Sequence, residues 1–159
     1  AAWASGRLED GDVRNAWVGG QIAVFQLGTR GWQARLAVET THEPDLDVQL
    51  TLGADTGLRG WNPDYFDGTG RAILNVQWRT LLKEEFLNLF SIGVVAFADA
   101  GHTWSPRVGP GTGRVRGDVG IGLLADLTHI GLANVLRAEV AFPDDGSGPT
   151  FTVTGAALF

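Results

Sequence analysis

The stretch RAILNVQWRTLL, from Arg71 to Leu82, alternates along almost its whole length. Ala72, Leu74, Val76, Trp78 and Leu82 share one face, and Arg71, Asn75, Gln77 and Arg79 share the other. A period of two marks a β-strand, because successive side chains on an extended chain point to opposite faces of the sheet.

The same period recurs outward in both directions. In 31–41, Trp32, Ala34, Leu36, Val38 and Thr40 oppose Gln33, Arg35, Ala37 and Glu39. In 45–55, Leu46, Val48, Leu50 and Leu52 oppose Asp45, Asp47, Gln49 and Thr51. In 114–128, Val115, Val119, Ile121, Leu123 and Leu127 oppose Arg114, Arg116, Asp118 and Asp126. Segments 132–142 and 149–159 alternate likewise, and 14–28 and 87–104 do so less cleanly. That makes eight strands, with residues 1–12 read as a partial extra strand or a linker. The segments run to roughly 10–16 residues, against about 5–6 for an ordinary globular strand. Short connections (28–31, 128–130) alternate with long Gly- and Pro-rich ones (56–69, 105–113), which predicts an antiparallel meander without crossover helices.

Composition agrees. A chain of 159 residues makes one domain, here spanning 1–159, and 23 Gly with 6 Trp suit an all-β protein. A net charge of −6 gives nucleic-acid binding no electrostatic support. The absence of cysteine excludes disulfides, thiolate zinc sites and thiol catalysis, and is compatible with passage through an oxidising compartment such as a periplasm. No apolar run reaches the length of a transmembrane helix. The opening AAWASGRLEDG has neither an initiator Met nor a signal-peptide core, and reads as a processed product or a piece of a longer chain.

Alternation alone does not say which face is wet, since a soluble ligand-binding barrel or a sandwich also alternates. Two features favour a membrane barrel. The polar face mixes Arg with Asp, Glu and Gln, and Lys83 is the only lysine, a choice suited to a confined, partly hydrated lumen. The other face carries Leu, Val, Ile, Ala and occasional aromatics, as a lipid-facing band requires. A sheet in hydrocarbon must also close, because an open edge would leave backbone groups unpaired.

Chemical motifs are weak. Asp55-Thr56-Gly57 spells the aspartic-protease tripeptide, but that chemistry needs two carboxylates about 3 Å apart sharing a proton. The nearest second copy, Asp99-Ala100-Gly101, departs from the tripeptide. GPGTGR (109–114) lacks the Gly-Lys-Ser/Thr ending of a phosphate loop. His42, His102 and His129 are scattered without metal-ligand spacing, and there is no Gly-x-Ser-x-Gly elbow. No enzyme activity, metal or cofactor is expected.

The loop DTGLRGWNPDYFDG (55–68) stands apart. It sets Arg59 among Trp61, Tyr65 and Phe66, and a loop this long inside a compact domain is uncommon unless functional. If Arg59 folds back into the barrel it needs a carboxylate, because an unpaired charge in a confined site is costly. Asp99 is the best candidate, on the polar phase of a strand otherwise nearly free of charge.

LRGW (58–61), ILNVQWR (73–79), VAFADAG (95–101), RGDVGIGL (116–123) and a terminal Phe159 follow one order. That order, over about residues 14–159, resembles the C-terminal half of the BamA/TamA-type barrel, the outer-membrane protein assembly superfamily also known as bacterial surface antigen. The resemblance implies that Arg59-Gly60-Trp61 is the tip of a loop folded into the lumen. Its receiver is then Asp99 of the Phe97-x-Asp99-x-Gly101 strand, helped by Gln77 where the family commonly has glutamate. Phe159 becomes the C-terminal aromatic used in barrel assembly, although Ala157 and Gly155 depart from the rest of that signal. The implied function is inserting or translocating polypeptide clients at the outer membrane of a Gram-negative bacterium, or an equivalent organelle membrane. The implied surroundings are outer-membrane lipid and, on another chain, POTRA domains.

Family members have sixteen strands and this chain has about eight. An eight-stranded barrel has an interior just filled by side chains, which leaves little room for a loop carrying Trp61. The chain therefore reads as half of a sixteen-stranded barrel, completed by a second copy or by an N-terminal fragment. The alternative is a small stand-alone eight-stranded outer-membrane barrel or pore.

Overall fold

The computed structural model describes residues 1–9, 12–26, 29–43, 50–86, 90–105, 113–126 and 134–157. They form strands and turns, with no helix among them. In chain order the strands are β1 (Ala2–Glu9), β2 (Asp12–Phe25), β3 (Arg30–His42), β4 (Leu50–Leu52) and β5 (Phe66–Gly68). There follow β6 (Gly70–Phe86), β7 (Phe90–Trp104), β8 (Arg116–Asp126), β9 (Asn134–Pro143) and β10 (Thr150–Ala157).

Eight of these build one antiparallel sheet in the order β1-β2-β3-β6-β7-β8-β9-β10. Every neighbour in the sheet is thus the next long strand in the chain, as a meander requires. Strands β1 and β10 are its two edges and are not paired with each other. Closure into a barrel is therefore not seen among the described residues.

The count of eight matches the expectation, but its membership differs. Residues 2–9 are a full strand, in register with β2 from Ala2↔Gly20 to Glu9↔Asp12, rather than a remnant or linker. Conversely, 45–55 is not a strand of the main sheet. Strand β3 pairs directly with β6 from Arg30↔Thr80 to Thr40↔Gly70, which leaves no slot between them. Of that segment Leu50–Leu52 is extended, and it pairs with Phe66–Gly68 in a separate two-stranded ribbon. Its alternation has a local cause: Leu50 and Leu52 are both buried, while Thr51 between them is half-buried. The remainder, 45–49, lies outside the described residues, as does Phe159.

In the main sheet several charged residues are buried while many large apolar ones are exposed. Asp99 and Asp118 are each only 4% exposed, whereas Ile22, Ile121 and Val153 are 69, 60 and 79% exposed. Leu36, Val38, Leu74, Val76, Leu123 and Phe142 are exposed on the same apolar phase. Glu39 and Glu139 are buried on the polar phase. The cause is the excursion between β3 and β6, which folds back over the polar face and leaves the apolar face bare.

Candidate functional site

The excursion is fastened at its stem. The Thr41 N–H donates to the Thr69 carbonyl at 2.7 Å, and the Thr69 N–H donates to the Trp104 carbonyl at 2.9 Å. Its first turn winds around one acceptor: the N–H groups of Thr56, Gly57 and Leu58 all point at the Gly53 carbonyl, at 3.2, 3.0 and 2.8 Å. That turn drives Leu58 into a small core with Leu52, Trp61 and Ile73, against which Phe66 packs. Trp61 also meets Phe66 edge-on, with ring centroids 4.9 Å apart, and Tyr65 at 5.3 Å. The aromatics that look out of place in a polar loop are its internal packing.

With the loop held this way, Arg59 points at the sheet. Its Nε donates to Asp99 Oδ2 at 2.7 Å and its Nη2 to Asp99 Oδ1 at 2.9 Å, a bidentate pair. The Asp99 side chain is wholly buried and that of Arg59 is 18% exposed. The guanidinium lies over the Phe97 ring, 3.5 Å from its centroid. Asn75 closes the arrangement by donating to Asp99 Oδ1 at 2.8 Å and to the Gly57 carbonyl at 2.6 Å. Burial by itself disfavours the charged guanidinium, but the bond to Asp99 and the nearby Glu139 and Asp118 outweigh it and raise the proton affinity of Arg59.

The rest of the Arg-Gly-aromatic tip and its receiving strand have definite places, whereas Phe159 lies outside the described residues. Gly101 sits where the core approaches β7: a Cβ there would come 2.8 Å from Leu52 Cδ2. Gly60 lies directly on β8, where a Cβ would come 2.7 Å from Asp118 Cβ. The Gly60 carbonyl accepts from Thr150 Oγ1 at 2.8 Å, and Trp61 Nε1 donates to the Gly117 carbonyl at 3.4 Å. The tip therefore touches β6 through Gln77, β7 through Asp99, β8 through Gly117, β9 through Glu139 and β10 through Thr150.

Gln77 is a minor receiver. Its Oε1 lies 3.5 Å from Arg59 Nη1, at the limit of a hydrogen bond, and accepts more closely from Arg137 Nη2 at 3.1 Å. The second carboxylate facing the loop is Glu139, two strands beyond β7. It accepts from Arg59 at 3.3 Å and from Arg137 at 2.6 Å. No local spacing connects Glu139 to residue 59, which is 80 positions away.

Asp118 is the other unforeseen member. It stands opposite Asp99 in the β7–β8 register, beneath Gly60. Both its carboxylate oxygens are buried without a hydrogen-bond partner among the described residues. Asp55, the first residue of the protease-like tripeptide, is exposed in the turn while Asp99 is occupied by Arg59.

A scan against protein-family models, a search of curated proteins and a search of solved structures each found no match.

Proposed function

We propose that this chain is the C-terminal-half portion of an outer-membrane β-barrel of the protein assembly and translocation superfamily. It works by mechanics: Arg59 latches a loop inside a polar lumen through which, or beside which, a polypeptide client is inserted or moved. The single observation that carries the reading is the Arg59–Asp99 pair, formed beneath a loop that covers the polar face of a sheet whose other face is bare and apolar. A soluble ligand-binding barrel keeps its large apolar side chains inside, and here many of them, such as Ile22, Ile121 and Val153, are on the outside.

Other features support the same reading. The inner strands run to 17 residues in β6 and 15 in β7, beyond the roughly 9–11 that a tilted strand needs to cross a bilayer. Trp32 and Trp78 are register partners on the bare face, close to the short-turn end of the sheet. Paired tryptophans there suit the interfacial aromatic girdle of such barrels. The unpaired edges β1 and β10 call for further strands, supplied by a second copy of the chain or by an N-terminal portion. A closed eight-stranded barrel has an interior just filled by side chains, so the docked loop favours the sixteen-stranded form over a small stand-alone barrel.

Fractionation of cells expressing the chain tests the proposal. The expected result is recovery in the outer membrane, a requirement for detergent and heat-modifiable migration. Recovery as a detergent-free soluble monomer would overturn it.

A further inference from the structure

Beside the latch, at the long-loop end of the sheet, a hollow of about 230 Å³ opens between the loop and the ends of β7 and β8. It is lined by Tyr65, Phe66 and Asp67 from the loop, Thr103 from β7, and Arg114 and Arg116 from the approach to and start of β8. Unlike Arg59, Arg71 and Arg137, these two arginines have neither an ion pair nor a hydrogen bond among the described residues. Arg116 is nonetheless held in place, its guanidinium 5.6 Å from the ring centroids of both Trp61 and Phe66.

We propose that this hollow binds a phosphorylated sugar. Two unpaired guanidinium forks match a phosphate monoester in geometry and, at about −1.5 to −2 charges near neutral pH, in charge. Tyr65 and Phe66 give the wall aromatic surface against which a sugar ring can pack, while Asp67 and the Thr103 hydroxyl can bond its hydroxyl groups. The volume lies below the ~300–1,000 Å³ of drug-sized pockets and suits a single ring with its phosphate. Because loop and β8 each supply part of the wall, a bound ligand bridges them and stabilises the docked loop by mass action. This holds whether or not the sheet sits in a membrane, so it stands apart from the reading above.

The test uses the full chain in detergent with glucosamine 1-phosphate as probe, and glucosamine alone as control. Calorimetry is expected to show saturable binding of the phosphorylated probe only, and the probe is expected to slow protease cleavage of the loop by about threefold or more. Arg114→Gln, which leaves the Trp61 and Phe66 contacts intact, should weaken binding by about threefold, and Arg114→Gln/Arg116→Gln by about tenfold. Arg30→Gln, at the opposite end of the sheet, should leave it unchanged. A second arm offers a phosphorylated glycolipid and its dephosphorylated counterpart in mixed micelles. Protection by the phosphorylated lipid assigns a membrane source to the ligand, and protection by the soluble probe alone assigns a free one. Absence of saturable binding to the wild type, or binding unchanged in both variants, would overturn the proposal.

Discussion

Arg59 and Asp99 are forty residues apart in sequence and joined by two parallel N–H···O bonds of 2.7 and 2.9 Å, with the carboxylate wholly buried. This geometry ties a loop to the centre of the sheet from which it departs. Removing either partner strands the other as a buried charge, and the strength of the latch lies in that asymmetry.

Arg59→Ala is therefore expected to release the loop while leaving the sheet formed. Breaking a buried pair costs about 3–5 kcal/mol, equivalent to a rise of some hundredfold or more in loop opening. Limited proteolysis between residues 53 and 65, with circular dichroism as the control for β content, reads this out. Arg59→Lys should fail nearly as badly, since an ammonium cannot reproduce the fork. Cleavage at the wild-type rate in Arg59→Ala would remove the latch from the account.

Gly60→Ala tests the close approach of the tip to β8. Its Cβ would sit 2.7 Å from Asp118 Cβ. Overpacking of this kind costs about 1–3 kcal/mol, so loop cleavage should rise by about tenfold with Arg59 still present. Leu58→Ala, at a fully buried position, should loosen the loop through a cavity instead, by about 2–5 kcal/mol.

Asp118→Asn should behave differently from every other change at the site. The carboxylate is buried opposite Asp99 with no hydrogen-bond partner among the described residues, so an amide of the same size relieves its repulsion with Asp99 while giving up its attraction for Arg59. Loop protection should be unchanged or increased. Faster cleavage of Asp118→Asn would show that the attraction of Asp118 for Arg59 outweighs its repulsion with Asp99.

The bare face separates a membrane barrel from a soluble sheet. Ile121 is 60% exposed near the middle of β8, where Arg would be tolerated in water. On the lipid face of a barrel the same Ile121→Arg change costs about 2–4 kcal/mol near the bilayer midplane. Assembly into membranes, followed by heat-modifiable migration, should drop for Ile121→Arg. An undiminished yield would count against lipid on that face.

Much of this was legible in the residues. Period-two alternation in 31–41 and 71–82 specifies two strands and their phases, because a one-residue slip would exchange the two faces. Arg59 and Asp99 could be paired from the chain because each is conspicuous: one lone cation in an aromatic loop, one carboxylate on a strand with little other charge. Glu139 and Asp118 were hidden for the opposite reason. Each shares its strand with other charged residues, Arg137 on β9 and Arg116 and Asp126 on β8, and nothing local marks which of them lies under the loop.

The sequence by itself determined the class of the fold, the length of its strands and the polarity of each face, because these follow from side-chain alternation along an extended backbone. It misplaced 45–55, since two buried leucines in a loop alternate just as a strand does. Tertiary structure alone decided that β3 pairs with β6, that the intervening chain turns back over the polar face, and that five strands contribute to the site of Arg59. Those choices depend on register and on contacts between residues up to 90 positions apart, energies that no window of sequence contains.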